Sequence, residues 1–125
     1  MSSTGQSESP LLVTEIDGWT VVEFRTASLM DPLQLERIAS AIYPLVDAQD
    51  KRLVVLDFTV VRYLSSQAIG ILLTLKRKLD TVSRSKLVLC GVNDTLMQLL
   101  KITRLDRVLT IKPTQREAVK VSTAL

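Results

Sequence analysis

The chain has 125 residues, 46% apolar and 23% charged, the size and composition of one globular domain that needs no disulfide or metal staple to fold. Histidine is absent and cysteine occurs once, which excludes Ser-His-Asp and Cys-His nucleophile systems, His-ligated metals and an internal disulfide. The net charge of +3 divides unevenly: residues 1–50 carry 2 basic and 8 acidic side chains, residues 51–125 carry 14 and 5.

Residues 1–10 are polar, Ser-rich and closed by Pro10, and read as a disordered tail ahead of one domain over 11–125. Leu11–Ile16 and Thr20–Arg25 read as strands joined by an Asp17-Gly18 turn, a hairpin with Val21 and Glu23 on one face and Val22 and Phe24 on the other. Asp31-Pro32 opens a helix, since Asp caps well and Pro is favoured at the first helical position. Leu35, Ile38, Ile42 and Leu45 form its apolar stripe to about Asp47, with a kink or end expected at Pro44.

Arg52–Phe58 is a continuous apolar run, suited to a strand buried on both faces. A helix then starts near Ser65-Ser66, striped by Ala68, Leu72, Leu75, Leu79 and Val82. Lys86–Val92 is a second buried-type strand. Asn93 caps a helix carrying Leu96, Leu99 and Leu100, and a short turn spans 104–107. Val108–Ile111 is a last strand, and Pro113 starts a terminal helix through about Val121. The order β-β-α-β-α-β-α-β-α predicts an α/β fold with a mainly parallel or mixed sheet.

Few chemistries fit these residues. Neither GxGxxG nor GxxxxGK[ST] occurs, and the carboxylates form no D-x-D cluster for a hard cation. No cofactor or metal is expected, and the protein reads as non-enzymatic. Cys90, inside KLVLCGV, reads as a buried, inert thiol. The basic half is not interleaved with aromatics, so neither stacking on single strands nor DNA binding is expected. No apolar run reaches the ~18 residues of a membrane span, and the N-terminus lacks a secretory pattern, so a cytoplasmic location is the default.

Residues 53–75, LVVLDFTVVRYLSSQAIGILLTL, run strand, short loop, two serines, helix. Either serine can cap the helix. A serine there can also accept a phosphate, because free N–H groups and the helix dipole favour an anion. Asp57 ends an apolar strand, where a response-regulator receiver keeps its phospho-acceptor. Receivers also need an acidic pair after the first strand, and Ile16-Asp17-Gly18 and Arg25-Thr26 supply none. Asp57 therefore reads as a carboxylate that anchors the loop and helps shape the edge beside Ser66.

Leu56-Asp57-Phe58, Tyr63, the Ser65-Ser66-Gln67-Ala68-Ile69-Gly70 stretch and the later KLVLCGVNDTLMQLLKITRLDRVLTI (86–111) together resemble the STAS domain family of bacterial anti-sigma factor antagonists. The resemblance covers residues 11–121. It implies a mixed, mostly parallel sheet of four to five strands with helices packed mainly on one face. It also implies binding to an anti-sigma factor that is a serine kinase, with phosphorylation breaking the complex. Carried over by position, the phosphoserine is Ser66, with Ser65 the alternative. The resemblance implies a partner-binding set of Asp57, Thr59, Tyr63, Ser65, Ser66, Gln67, Ile69 and Gly70. Two departures stand out: Ser65 replaces the usual Asp, and Gln67-Ala68 replaces a small residue followed by Gly. The alternative is a STAS module that binds a nucleotide or small ligand, or acts as a scaffold, without phosphorylation.

Overall fold

The computed structural model describes residues 9–122. Of the expected tail, residues 1–8 lie outside these; the Pro10 carbonyl already accepts the Arg25 amide at 2.8 Å, so pairing begins just before the first strand. Seven strands and four helices follow in chain order: β1 (Leu11–Ile16), β2 (Trp19–Phe24), β3 (Ser28–Leu29), α1 (Pro32–Asp47), β4 (Leu53–Asp57), β5 (Tyr63–Leu64), α2 (Ser66–Asp80), β6 (Lys86–Cys90), α3 (Asp94–Ile102), β7 (Thr110–Lys112) and α4 (Gln115–Ala118). A 3-10 turn, Leu105–Arg107, joins α3 to β7.

The main sheet has the order β1-β2-β4-β6-β7. Only β1 is antiparallel to its neighbour; β2-β4, β4-β6 and β6-β7 are parallel. The hairpin closes through Asp17 and Gly18, both at positive φ, as a two-residue type I′ loop requires. β3 and β5 form a separate parallel pair. Two residues show no periodicity, which is why the sequence reading passes over both.

Alternation along the strands divides the core in two. Val22, Phe24, Val54, Leu56, Leu87 and Leu89 face α1, α2 and α3. Trp19, Val21, Val55, Val88 and Cys90 face the other way, where Ala118 of α4 packs on them. β4 and β6 are thus buried on both faces, as their unbroken apolar runs predict. Lys78 holds α2 to α1, pairing with Asp47 at 2.7 Å and lying 5.0 Å from the centre of the Tyr43 ring.

The helices start where their caps stand. Asp31 Oδ2 accepts from the Gln34 amide and Asn93 Oδ1 from the Leu96 amide. α1 continues through Pro44 to Asp47. The carbonyl of Ser40 loses its usual donor there, but Ser40 is exposed and water can replace it. Val82 falls in the turn after α2, still packed on the core.

The C-terminal end departs from expectation twice. The last strand is Thr110–Lys112 instead of Val108–Ile111, because the Val108 and Leu109 amides close back onto the Leu105 carbonyl. The terminal helix is four residues long and starts at Gln115, capped by Thr114. Pro113 belongs to the sheet edge, where its carbonyl accepts the Gly91 amide.

Gly91 ends β6 at φ +69° against the turn that leaves β4. A Cβ built on it would stand 2.4 Å from Thr59 Oγ1, 2.8 Å from the Thr59 nitrogen and 2.9 Å from Asp57 Oδ1. Gly18 has φ +86° but open space around it. We therefore expect Gly91→Ala to lose about 2–5 kcal/mol, backbone strain plus overpacking, and Gly18→Ala only about 1–2 kcal/mol of strain. Urea denaturation of the two variants checks this difference; equal losses would show that the turn yields around Gly91.

Candidate functional site

The segment between β4 and α2 crosses the C-terminal end of the sheet and is pinned at each step. The Val61 amide donates to the Phe58 carbonyl, and the Val61 carbonyl accepts from Asn93 Nδ2 at 3.1 Å. The Arg62 and Tyr63 amides both donate to the Ala27 carbonyl, and the Ser65 amide donates to that of Leu29. The β3-β5 pair thereby brings residues 27–30 against the start of α2.

The two serines have different surroundings. Ser65 is the N-cap of α2: its Oγ accepts from the Ala68 amide at 3.1 Å, and it is half-buried. Ser66 is the first helical residue, exposed, with its hydroxyl outside the capping bond. No acidic residue occupies the first turn of α2, while Arg77 and Lys78 lie in its last, so the helix meets solvent at Ser66 with its positive end unneutralised. Ser65→Ala should cost about 1 kcal/mol through the lost cap, and Ser66→Ala should stay within about 0.5 kcal/mol of the parent. Thermal and urea melts measure both; a larger loss at 66 would reassign the cap.

The segments that lead into α1 and α2 carry exposed apolar side chains. Tyr63 is 61% exposed and Val60 49%; Met30, directly after Leu29, is 50% exposed, and Leu33 in the first turn of α1 is 66%. Gln67 and Gly70 are exposed on α2, with open space around Gly70, whereas Ile69 is half-buried and packs on the core. Met30 escapes sequence reading because only the β3-β5 pairing, which ends at Leu29 and Leu64, brings its segment to the strand that precedes α2.

Asp57 stands apart from this surface. It is 7% exposed and its carboxylate lies on the α4 face of the sheet, not beside Ser66. Oδ1 accepts from the Thr59 amide at 2.8 Å and the Thr59 hydroxyl at 2.5 Å; Oδ2 accepts from Gln115 Nε2 at 2.5 Å. The same Nε2 donates to Glu23 Oε2 at 2.8 Å. Asp57 is a loop anchor, and the backbone and hydroxyl of Thr59 serve the turn although the residue itself is exposed. Glu23 and Gln115 go unmarked in the sequence, because only strand register and the return of α4 bring them to Asp57.

Cys90 is buried beside this pair. Burial first, then the charge of Asp57, the hydrogen bond to it and the charge of Glu23 push its thiol from 9.0 up to about 12. The unfolded thiol ionises near 9 while the folded one stays protonated, so this contribution to stability is complete below pH 9 and is lost as pH rises toward 12. We expect stability to fall more steeply over that interval than in Cys90→Ala. Native Cys90 should also resist alkylation at pH 8 until the chain unfolds. Coincident pH profiles for the two proteins would contradict the shift.

Among the described residues, no group of three His, Cys, Asp or Glu side chains is placed to hold a metal, and no helix is long and apolar enough to cross a membrane. The STAS domain family model matches residues 11–118. No curated protein matches the chain. Among solved structures, an anti-sigma-factor antagonist (STAS) domain protein from Planctomyces limnophilus superposes with a TM-score of 0.80 at 23% identity, covering 91% of this chain and 97% of that one. An anti-sigma factor antagonist from Mycobacterium paratuberculosis gives 0.78 at 24%, covering 88% and 90%. The phosphorylated form of the Bacillus cell fate determinant SpoIIAA gives 0.70 at 17%, covering 88% and 96%. These likenesses bear on the fold; with the family match over nearly all the described residues, the chain belongs to the STAS domain family.

Proposed function

We propose that this STAS domain is a non-enzymatic regulator that binds an anti-sigma factor or serine kinase through the 59–70 surface, and that a phosphate on Ser66 weakens the complex. The observation that carries the reading is the contrast between the serines: Ser65 is committed to the cap, and Ser66 is exposed at the positive end of α2, after a segment with exposed apolar side chains at Val60 and Tyr63. Tyr63, Val60, Met30 and Leu33 give a partner apolar area to bury, and Gln67 and the exposed edge at Gly70 continue the surface along α2. Thr59 supports it from the turn, and Ile69, half-buried, packs on the core beneath it.

Phosphorylation at Ser66 would add about −1.5 to −2 charges where the helix tolerates them. The fold is retained, and the change is felt by whatever docks: an acidic or apolar partner surface meets a solvated dianion. Two solved neighbours fit this reading, one described as an anti-sigma factor antagonist and one as phosphorylated. A cytoplasmic location and a role in transcription regulation go with it.

Two measurements test the proposal. Phosphopeptide mapping of protein isolated from growing and from stressed cells should find phosphate on Ser66, with occupancy that differs between them. Calorimetry against the anti-sigma factor or serine kinase of the same cells should show Ser66→Ala binding like the parent and Ser66→Asp at least about tenfold more weakly, a penalty of about 1.4 kcal/mol. Phosphate on Ser65 would move the switch by one residue. Equal affinities for the two variants would end the switch mechanism.

A further inference from the structure

The C-terminal ends of four parallel strands carry one row of side chains. Register places Glu23 beside Asp57, Asp57 beside Cys90 and Cys90 beside Lys112, all on the α4 face. Gln115 enters this row as the first residue of α4, and its Nε2 reaches both carboxylates. The primary amide has two N–H donors and no charge, so it can satisfy one oxygen of each acid. Without a shared donor, two adjacent carboxylates repel, and the more buried one lacks a partner for Oδ2.

Asp57 carries that restraint through the sheet edge. Its Oδ2 faces Gln115, while its Oδ1 holds the amide and hydroxyl of Thr59, where the segment toward Ser66 begins. The next anchors, at Val61 and at residues 62–65, lie on Asn93 and the β3 side. The Thr59 turn is thus set by Asp57 and by the bare backbone of Gly91 beneath it.

We propose that Gln115 is a positioning residue. By bridging Glu23 and Asp57 it fixes the Thr59 turn, so that α4, on the far face of the sheet, latches one end of the 59–70 docking surface. The functional consequence rests on the reading given above; the structural coupling does not, and it can be measured on the free, unphosphorylated protein.

The test is amide hydrogen exchange by NMR on the full chain. Gln115→Met keeps the side chain's length and removes its donors, and it should speed exchange of the Thr59 amide by about tenfold or more relative to amides inside β4 and β6. Thr114→Ala removes the cap of α4 without touching Asp57, and should leave the Thr59 amide as it is. In a Thr59→Val background, the effect of Gln115→Met on the Val60 and Val61 amides should shrink, because both changes act through one carboxylate. If Gln115→Met does not fold, Gln115→Asn, whose shorter amide cannot span both acids, takes its place in the same comparison. An unchanged Thr59 amide would reduce Gln115 to a fastener for α4. Equal loosening by Thr114→Ala would assign the effect to the packing of α4 instead of the bridge. A failure of the Ser66 switch would appear only in the binding experiment and would leave these exchange rates as they are.

Discussion

A carboxylate taken out of water must be met by donors, and Asp57 is met from two directions. Loss of either set would leave a buried acceptor without a partner, a cost on the order of 1–3 kcal/mol and larger for an ion. The two sets come from distant parts of the chain: Thr59 is two residues on, Gln115 is 58. Satisfying one side chain therefore ties together the end of β4, the turn that follows it and the first residue of α4. The adjoining strand must stop as well. Gly91 takes a left-handed conformation against Thr59, space that any Cβ would fill. The neighbouring thiol stays protonated first because it is buried, and then because Asp57 and Glu23 stand beside it.

The opposite face of the sheet does a different kind of work. Three amphipathic helices cover it, and their packing is conventional apolar burial through Leu35, Ile38, Ile42, Leu72, Leu75, Leu79, Leu96 and Leu100. In the segments that lead into α1 and α2 this burial runs out, and Met30, Leu33, Val60 and Tyr63 are left open. Exposed apolar side chains such as these are what the proposed docking surface would bury on binding. The polar anchor on one face and the apolar exposure on the other meet in a single segment, residues 59–66.

Local signals carried most of the architecture. Asp17-Gly18, Asp31-Pro32, the Ser65-Ser66 pair and Asn93 each act within three residues of themselves, so turn and cap chemistry could be read directly, save which of the two serines caps α2. The double burial of β4 and β6 was legible as unbroken apolar runs. What was not legible depends on distance along the chain. The two-residue pair β3-β5 exists because residues 28 and 29 find 63 and 64. Pro113 has the look of a helix start, yet its carbonyl is taken by Gly91 across the sheet edge, and the helix begins only after Thr114 caps it. In the candidate site, the serines were placed by a local rule. Glu23 and Gln115 needed strand register and a tertiary return, which no window of sequence contains. Asp57 was read correctly as a loop anchor, but its side of the sheet could not be read until Glu23 and Cys90 were seen in register with it.

The replacement of the usual Asp by Ser65 has a physical meaning in this setting. Both residues cap a helix through a side-chain oxygen, so the start of α2 survives the change. They differ in charge. An Asp cap would place a carboxylate one residue before Ser66 and spend part of the helix dipole on it. A Ser cap leaves that end of α2 without any acid in its first turn. A phosphate on Ser66 would then be the first negative group the helix meets, gaining the dipole and the free N–H groups without a neighbouring anion to repel it. The departure from the family pattern thus removes a feature a kinase could recognise while making the product of phosphorylation easier for the fold to carry. Under the proposed switch, recognition and tolerance would be separable properties of this loop: the first would depend on the surface around Tyr63 and Ser66, the second depends on how α2 is capped.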